Sequence, residues 1–302
     1  MKDAAGSRPR PKVSVRMITY NHEPFIARAI ESVLMQKTDF DVELVIGEDC
    51  STDGTARIVA GYERRFPDRI RLVQSERTVG RLRNYLRTLA ACGGEYVALI
   101  DGDDYWTSDD KLQRQVEVLD DHPDCSLCIH NVLMIYEDGR VPRLRYRESL
   151  GEVLTLEDVL REPFISTVSV VFRHGLVREF PPLFYPLPFC DWPLYVLIAR
   201  HGSIRYIDEV MAVYRLHEGG VWSRGGRETV RILRENCRTQ LLFYRLVNKY
   251  LDYSHDVLIR EQIERMRRHW RQKIAKLLKR RRKQGRRRLA AMLRSLKGAL
   301  WT

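Results

Sequence analysis

Three aspartates around a glycine follow the most apolar strand-like segment of the chain. Residues 96–100 form an apolar run, and Asp101, Asp103 and Asp104 come directly after it. Such a run is typical of a strand that is buried on both faces of a parallel sheet. In open α/β sheets, ligands bind beyond the carboxyl ends of these strands. Carboxylates crowded at that point repel one another and lose hydration, so we expect a cation to compensate them.

A hard divalent metal carrying a diphosphate suits such an acidic cluster. Ions of the Mg²⁺ type favour one or two carboxylates together with phosphate oxygens. The alternative interpretation is an acidic turn that caps the next helix, with Ser108 or Asp109 as the N-cap. Short motifs match by chance often enough that the segment alone leaves both interpretations open.

Polar clusters also end two earlier strand-like segments. Thr19-Tyr20-Asn21-His22-Glu23 ends the first, and residues 48–55 end the second. Because the carboxyl ends of parallel strands meet at one edge of a sheet, these loops predict a nucleotide-binding edge. Asp49 is suited to accept the imide N–H of a uracil or thymine, although helix capping is an equal alternative. Asp53 is better explained as an acid that complements a helix dipole.

Strands that alternate with helices predict the fold. Apolar runs predict strands over 12–20, 42–47, 70–75 and 96–101. Helical spacing predicts helices over 24–36 and 81–91, and between them residues 51–55 cap a helix that runs to about Arg65. This alternation indicates an α/β fold with a doubly wound, mostly parallel sheet of the Rossmann type. Beyond residue 108 the pattern predicts a helix over 109–121, a strand pair around 125–136, a helix over 191–200, short strands over 204–207 and 210–214, and helices thereafter.

The composition is that of a chain with a sizeable core. The chain has 302 residues, 44% of them hydrophobic, enough for one large domain or two smaller ones. No apolar stretch approaches the roughly 18 to 20 residues of a membrane span, and residues 1–12 resemble no secretory signal, so we expect a cytoplasmic location. Cys125 and Cys128 lie in a predicted strand, whose alternation separates their side chains, so reduced cysteines are expected instead of a zinc site.

The basic charge is concentrated at the C-terminus. Sixteen of the 52 Lys and Arg residues lie in 265–302, a segment without Asp or Glu. Residues 1–264 therefore have a net charge of about −4, and the tail accounts for the positive net charge of +12. Apolar residues recur in this tail at intervals of three and four, among them Met266, Trp270 and Ile274. A basic amphipathic helix favours an anionic membrane surface. The alternative is an apolar stripe packed on the body or a partner, and no base-reading motif predicts specific nucleic-acid binding.

The order of the motifs resembles a known family. Thr19-Tyr20-Asn21, the turn Glu48-Asp49-x-Ser-x-Asp-x-Thr, Gly80-x-x-Arg83-Asn84 and Asp101-Gly102-Asp103-Asp104 are similar to the inverting nucleotide-sugar glycosyltransferases of family 2, which have the GT-A fold. The resemblance covers about 12–225. It implies a GT-A domain over 12–225, with a nucleotide-binding half over 12–107 and an acceptor half over 108–225. A disordered N-terminus over 1–11 and a helical C-terminal region over 226–302, with the basic tail 265–302, complete the expected organisation.

The resemblance also implies roles for individual residues. Donor contacts would come from Thr19, Tyr20, Glu23, Asp49, Arg83 and Asp101, the last of these at the ribose or the metal. Asp103 would bind Mn²⁺ or Mg²⁺ bridging the diphosphate, and Asp104 would stand behind it.

The acceptor side adds two further motifs. Asp191 in Phe189-Cys190-Asp191-Trp192 would be the general base, although capping of the following helix is an alternative, and Cys190 stands where the family more often has an acid. The loop over 214–223 resembles one that closes over the diphosphate, with His217 as a further metal ligand. Arg215 and Ser223 would contact phosphate.

The implied reaction is a single displacement with inversion. A sugar would move from a nucleotide-sugar donor, UDP- or dTDP-linked by preference, to a hydroxyl of a saccharide or lipid-linked acceptor. The expected context is non-processive cell-envelope glycan or glycolipid synthesis, with peripheral contact at the inner face of the plasma membrane. Alternatives are a nucleotidyltransferase acting on sugar phosphates and a non-catalytic basic protein that binds membrane or nucleic acid, although no Gly-rich phosphate loop follows the first strand.

Overall fold

The computed structural model describes residues 10–148, 150–177, 179–217 and 229–299. Most of the segment expected to be disordered, 1–9, and the predicted phosphate contact Ser223 lie outside these residues. The chain divides into two compact units, Met1–Arg224 and Gly225–Thr302.

The first unit begins with the predicted alternation of strands and helices. Strands β1 to β4 run parallel in the order β3-β2-β1-β4. They are β1 (Val13–Thr19), β2 (Val42–Glu48), β3 (Ile70–Gln74) and β4 (Tyr96–Asp101), and the helices between them are α1 (Ile26–Leu34), α2 (Thr55–Arg65) and α3 (Arg81–Ala90). The expectation of an α/β, mostly parallel sheet with GT-A architecture is confirmed.

The core of this unit explains why these segments fold as they do. All seven residues of β1 are buried, as are the first five of β4. Helix α1 buries Ile26, Ala29, Ile30 and Val33 against the sheet, which is the spacing of one helical face. Fully burying each large aliphatic side chain stabilises the fold by about 1.5 to 3 kcal/mol. The sheet therefore forms a rigid platform whose carboxyl edge is available for function.

Beyond β4 the sheet becomes mixed. The order continues β4-β9-β6-β10-β5, in which β6 and β10 are parallel and β9 is antiparallel to both of its neighbours. The elements are β5 (Tyr105–Trp106), α4 (Lys111–Asp121), β6 (Cys125–Tyr136), β7 (Arg143–Leu144), β8 (Val153–Leu154), α5 (Leu156–Arg161), β9 (Val171–Arg173), α6 (Asp191–Ala199) and β10 (Ser203–Leu216).

One prediction in this half needs correction. The two strands expected over 204–207 and 210–214 are one strand, β10, with a shift of register between Ile207 and Val210. The polar residues Asp208 and Glu209 separate the two predicted strands, but a β-bulge accommodates this pair without ending the strand. The strand pair expected around 125–136 consists of the long strand β6 and the two-residue β7, which pairs antiparallel with it.

The second unit consists of two long helices. They are α7 (Val230–Tyr250) and α8 (Asp256–Ala299), and α8 continues through Gly285. Met266 and Trp270, predicted as part of a membrane-facing stripe, are instead buried against α7, where the Trp270 indole donates a hydrogen bond to Gln240 at 2.8 Å. An apolar partner helix was available, so this part of the stripe packs within the unit. Within the described ranges, no helix combines the length and apolarity needed to cross a membrane.

Candidate active site

The loops after β1 and β2 are tied together by two residues in left-handed backbone conformation. Asn21 (φ 53°) and Cys50 (φ 58°) both lie in this uncommon region. The Asn21 side-chain oxygen accepts the Thr52 N–H at 2.8 Å, and the Asn21 N–H donates to the Ser51 hydroxyl at 3.0 Å. The buried Glu48 carboxylate accepts the N–H groups of Cys50 and Ser51. These hydrogen bonds hold Asn21 and Cys50 in their strained conformations. They also join the two loops that are predicted to bind the donor.

Asp49 ties this edge to the start of α3. Its carboxylate accepts the N–H of Val79 at 2.7 Å and that of Gly80 at 3.0 Å. Gly80 has φ +88°, a conformation that glycine adopts at little cost, and α3 begins at the next residue. Capping of α2 does not account for Asp49, because the N-cap of that helix is Gly54. A carboxylate has about four lone-pair sites, so Asp49 retains acceptor capacity, and its contact with a nucleobase stays a prediction.

The other predicted donor contacts have different surroundings. Tyr20 is 42% exposed at the same edge, and the Glu23 carboxylate accepts the N–H of Gly54 at 2.8 Å. The buried Thr19 hydroxyl has no hydrogen-bond partner among the described residues. Arg83 is on the exposed side of α3, whereas its neighbour Arg81 contacts a predicted site residue.

Asp103 and His217 lie side by side, as the candidate metal pair requires. Antiparallel pairing of β5 with β10 brings the end of β10 to the acidic loop, and the His217 Nε2 atom lies 3.0 Å from Oδ2 of Asp103. His22 Nε2 is 3.7 Å from the same oxygen. Burial alone would raise the pKa of Asp103, but the hydrogen bond with His217 and the charge of His22 outweigh it and lower that pKa.

The donor set suits a hard or borderline divalent ion. A carboxylate and an imidazole this close are able to bind one Mn²⁺ or Mg²⁺. The described part of the chain contains no group of three or more His, Cys, Asp or Glu side chains placed to hold a metal. Diphosphate oxygens and water would therefore have to complete the coordination sphere.

Asp104 and Arg215 stabilise the loop that carries Asp103. The buried Asp104 carboxylate accepts the Arg215 N–H at 2.8 Å, and burial, together with the charge of Asp103, raises the pKa of Asp104 well above its usual value. The Arg215 guanidinium donates to the Asp103 carbonyl at 2.9 Å and lies 4.6 Å from the Phe25 ring centre. Arg215 thus holds the acidic loop in place, and its contact with phosphate stays a prediction.

Asp101 is paired with an arginine that sequence reasoning did not single out. Arg16 is fully buried in β1, lies 4.1 Å over the Tyr85 ring and bonds the Asp101 carboxylate at 3.0 Å. Burial raises the pKa of Asp101, and Arg16 and Arg81 oppose that effect. A charged residue inside an otherwise apolar strand was the available signal, because buried charges need a partner.

Asp191 is the first residue of α6. The N-cap is Cys190, so capping does not explain this acid. The Asp191 Oδ2 atom pairs with the Arg81 guanidinium at 3.1 Å, and the Cys190 thiol lies 3.6 Å from Oδ1. The charges of Asp191 and Arg81 also act on Asp101, so Asp191 belongs to the same electrostatic cluster as Asp101.

A GT-A sheet with an acidic loop at the end of β4 and an acid at the start of α6 defines the class of nucleotide-sugar transferase folds. The family model described as Glycosyl transferase family 2 matches residues 14–179. The chain therefore belongs to glycosyltransferase family 2.

Two relatives match 70% and 71% of the chain. An uncharacterized protein of Mycobacterium tuberculosis, Rv1520, is 40% identical over 215 residues, which are 70% of this chain and 60% of that protein. The chain thus spans 60% of the length of this relative. The putative teichuronic acid biosynthesis glycosyltransferase TuaG of Bacillus subtilis is 29% identical over 71% of this chain and 82% of its own length.

The fold recurs in solved structures. Staphylococcus aureus TarS, residues 1–349, in complex with UDP-GlcNAc superposes with a TM-score of 0.55 at 22% identity, covering 80% of this chain and 71% of that one. At this identity the likeness concerns the fold alone.

Proposed function

We propose that this protein transfers a sugar from a nucleotide-diphosphate donor to a hydroxyl acceptor, with inversion at the anomeric carbon. The observation that carries the proposal is the connection of Asp49, Asp101, Asp103 and Asp191 along one sheet edge. Asp101 pairs with the buried Arg16, Asp191 pairs with the partly exposed Arg81, and the charges of Asp191 and Arg81 both act on Asp101. Family membership favours this reaction over the nucleotidyltransferase alternative.

The proposed donor carries uridine or thymidine diphosphate. Asp49 keeps lone pairs that suit the imide N–H of a uracil or thymine, and the exposed Tyr20 ring is available at the same edge. The complex of TarS with UDP-GlcNAc supports a uridine donor on this fold.

Asp103 and His217 are the residues proposed to hold Mn²⁺ or Mg²⁺. A divalent ion bound there would neutralise the negative charge that develops on the departing diphosphate. The hydrogen bonds of Arg215 with the Asp104 carboxylate and the Asp103 carbonyl hold the two proposed ligands next to each other.

In the proposed chemical step, Asp191 acts as the general base. The acceptor oxygen forms a bond to the anomeric carbon while the bond from that carbon to the diphosphate oxygen breaks. The hydroxyl proton passes to the Asp191 carboxylate. A positioned base of this kind contributes about 10²- to 10⁴-fold in rate.

The proposed acceptor is a saccharide or lipid-linked glycan of the cell envelope. The name of TuaG points to envelope polysaccharide synthesis in a relative. The basic segment 265–302, with 16 Lys and Arg and no acid, supports a cytoplasmic protein in peripheral contact with an anionic membrane. A specific nucleic-acid partner is not proposed.

Thermal-shift measurements with nucleoside diphosphates test the donor site. A ligand that binds only the native state at a hundredfold excess over Kd stabilises it by about 2.7 kcal/mol. We expect a Mn²⁺-dependent shift with UDP or dTDP in the wild type that is lost in Asp103→Ala. Absence of a shift with every nucleoside diphosphate would contradict the proposal.

A further inference from the structure

We propose that Arg81 is the positioning residue of the candidate general base. Its guanidinium holds Oδ2 of Asp191 and thereby orients Oδ1 toward the acceptor hydroxyl. This role rests on the proposed function, because it assigns Asp191 a proton to accept.

The first support is the geometry of the ion pair. Arg81 Nη2 lies 3.1 Å from Asp191 Oδ2, and the two side chains are only 25% and 14% exposed. A pair shielded from solvent is screened less than a surface pair, so it restricts the carboxylate to one orientation. Among the described residues, the hydrogen-bonding contact of the other oxygen, Oδ1, is with the Cys190 thiol at 3.6 Å. A thiol is a weak donor, so Oδ1 keeps its capacity to accept a proton.

The second support is the anchoring of Arg81 itself. Arg81 is the first residue of α3 and follows the left-handed Gly80. The N–H groups of Val79 and Gly80 are both held by the Asp49 carboxylate. The backbone that carries the guanidinium is therefore fixed by the donor edge, and the base is oriented relative to the site where the nucleotide is expected.

The third support is the arrangement of charge around Asp191. Besides Arg81, titratable groups from five elements interact electrostatically with this carboxylate. They are Arg16 on β1, Tyr85 on α3, Asp101 on β4, Tyr195 on α6 with Cys190 at its N-cap, and Tyr214 on β10. Arg16 is already bonded to Asp101. Arg81 is thus the cation with a direct hydrogen bond to the base.

The test compares Arg81→Met and Arg81→Lys with the wild type. Release of UDP or dTDP gives kcat, with UDP-glucose, UDP-GlcNAc and dTDP-glucose as donors and water or an alkyl glycoside as acceptor, and the thermal shift with UDP gives the donor Kd. Arg64→Met is the matched control, because Arg64 is an exposed arginine on α2. Near-ultraviolet circular dichroism verifies that each variant is folded.

We expect kcat of Arg81→Met to fall by up to about 100-fold, since small misplacement of a catalytic group has effects of this size. The donor Kd should stay unchanged. A loss of kcat at constant donor Kd separates positioning of the base from damage to the donor site. Arg81→Lys keeps a cation near Oδ2 and should recover part of the loss, and Arg64→Met should leave kcat unchanged.

The outcomes separate this role from the proposed function. If the wild type turns over a donor and kcat of folded Arg81→Met equals that of the wild type, the positioning role is refuted and the proposed function stands. If the wild type releases nucleotide from none of the donors, the proposed function fails and the role of Arg81 fails with it.

Discussion

The ammonium group of Lys111 lies 4.1 Å from the centre of the Trp106 ring, in the protein interior. Both side chains are almost completely buried. Lys111 also donates a hydrogen bond to Gln115 at 2.7 Å, and the Trp106 indole donates to the Val168 carbonyl at 3.0 Å. Trp106 is the last residue of β5, the short strand that follows the acidic loop, so these contacts anchor the C-terminal end of that loop. Burial lowers the pKa of Lys111 to about 7.

Replacing this lysine by methionine should change how stability depends on pH. The unfolded chain binds a proton at Lys111 up to about pH 10.4, whereas the folded chain releases it near pH 7. Between these values the unfolded state binds more protons, so wild-type stability should rise with pH. In Lys111→Met this contribution is absent. We expect the stability of the variant relative to the wild type to decrease steadily from about pH 7 to about pH 10 in urea unfolding.

The exposed Lys37 provides the control for this measurement. Its pKa is raised by the hydrogen bond with Asp109, so Lys37→Met should produce no such change over the same interval. Parallel stability curves for Lys111→Met and the wild type would show that Lys111 is not buried as a neutral amine.

Gly47 makes the close approach of α3 to β2 possible. A Cβ at this position would lie 1.8 Å from the Thr88 hydroxyl and 2.8 Å from the Asn84 side-chain oxygen. Asn84 also donates to the Gly47 carbonyl at 2.8 Å. Gly47→Ala should therefore displace α3 and destabilise the protein by about 1 to 3 kcal/mol or more. The measurement is the thermal unfolding midpoint.

A second glycine gives the matched comparison. Gly61 lies within α2, and nothing lies within 4 Å of the position that its Cβ would occupy. Gly61→Ala should stabilise the protein by about 0.4 to 1 kcal/mol, because alanine restricts the unfolded chain. Equal midpoints for the two variants would contradict the close packing of α3 on β2.

The order of elements was predictable from the sequence where local signals were strong. Residues 96–101 form a strand because an uninterrupted apolar run can be satisfied by burial on both faces. Strand β10 was harder, since the polar residues Asp208 and Glu209 interrupt its apolar pattern. Strand β10 pairs with β6 on both sides of the bulge at these two residues, and this pairing stabilises the bulge. A short stretch of sequence does not reveal such long-range pairing.

The candidate site was predictable only in part, for a similar reason. Asp103 and His217 were singled out individually, and pairing of β5 with β10 brings them together. Arg81 forms its ion pair with Asp191, 110 positions away, and nothing near Arg81 in sequence indicates that partner. Arg16 did carry a local signal, a charge within an apolar strand, but that signal does not identify Asp101 as its partner.

Alanine variants of the two acids should separate binding from chemistry. Asp103→Ala should abolish both the Mn²⁺-dependent thermal shift with UDP and nucleotide release, because the proposed metal loses its carboxylate. Asp191→Ala should abolish transfer but retain the thermal shift, because its proposed role begins only when the acceptor hydroxyl loses a proton. Asp138→Ala, in the exposed turn after β6, is the control. Near-normal transfer by Asp191→Ala would remove it as the base.

The basic tail should bind anionic vesicles through residues beyond the packed part of α8. Met266 and Trp270 pack on α7, so a protein ending at residue 278 keeps these contacts and removes ten Lys and Arg. Each basic residue near an anionic surface contributes about 1 kcal/mol. The full chain should therefore co-sediment with vesicles containing phosphatidylglycerol, less so at high salt, and the shortened protein should not.

Vesicles of phosphatidylcholine alone are the control for this last prediction, because they present the same interface without net charge. Equal sedimentation of the full and shortened proteins with anionic vesicles would refute the membrane role of the tail. Tight, salt-sensitive binding of the full chain to duplex DNA, with no binding to vesicles, would instead assign the tail to phosphate backbones. The two surfaces share negative charge, and the vesicle alone also accommodates the apolar residues that alternate with the arginines in this segment.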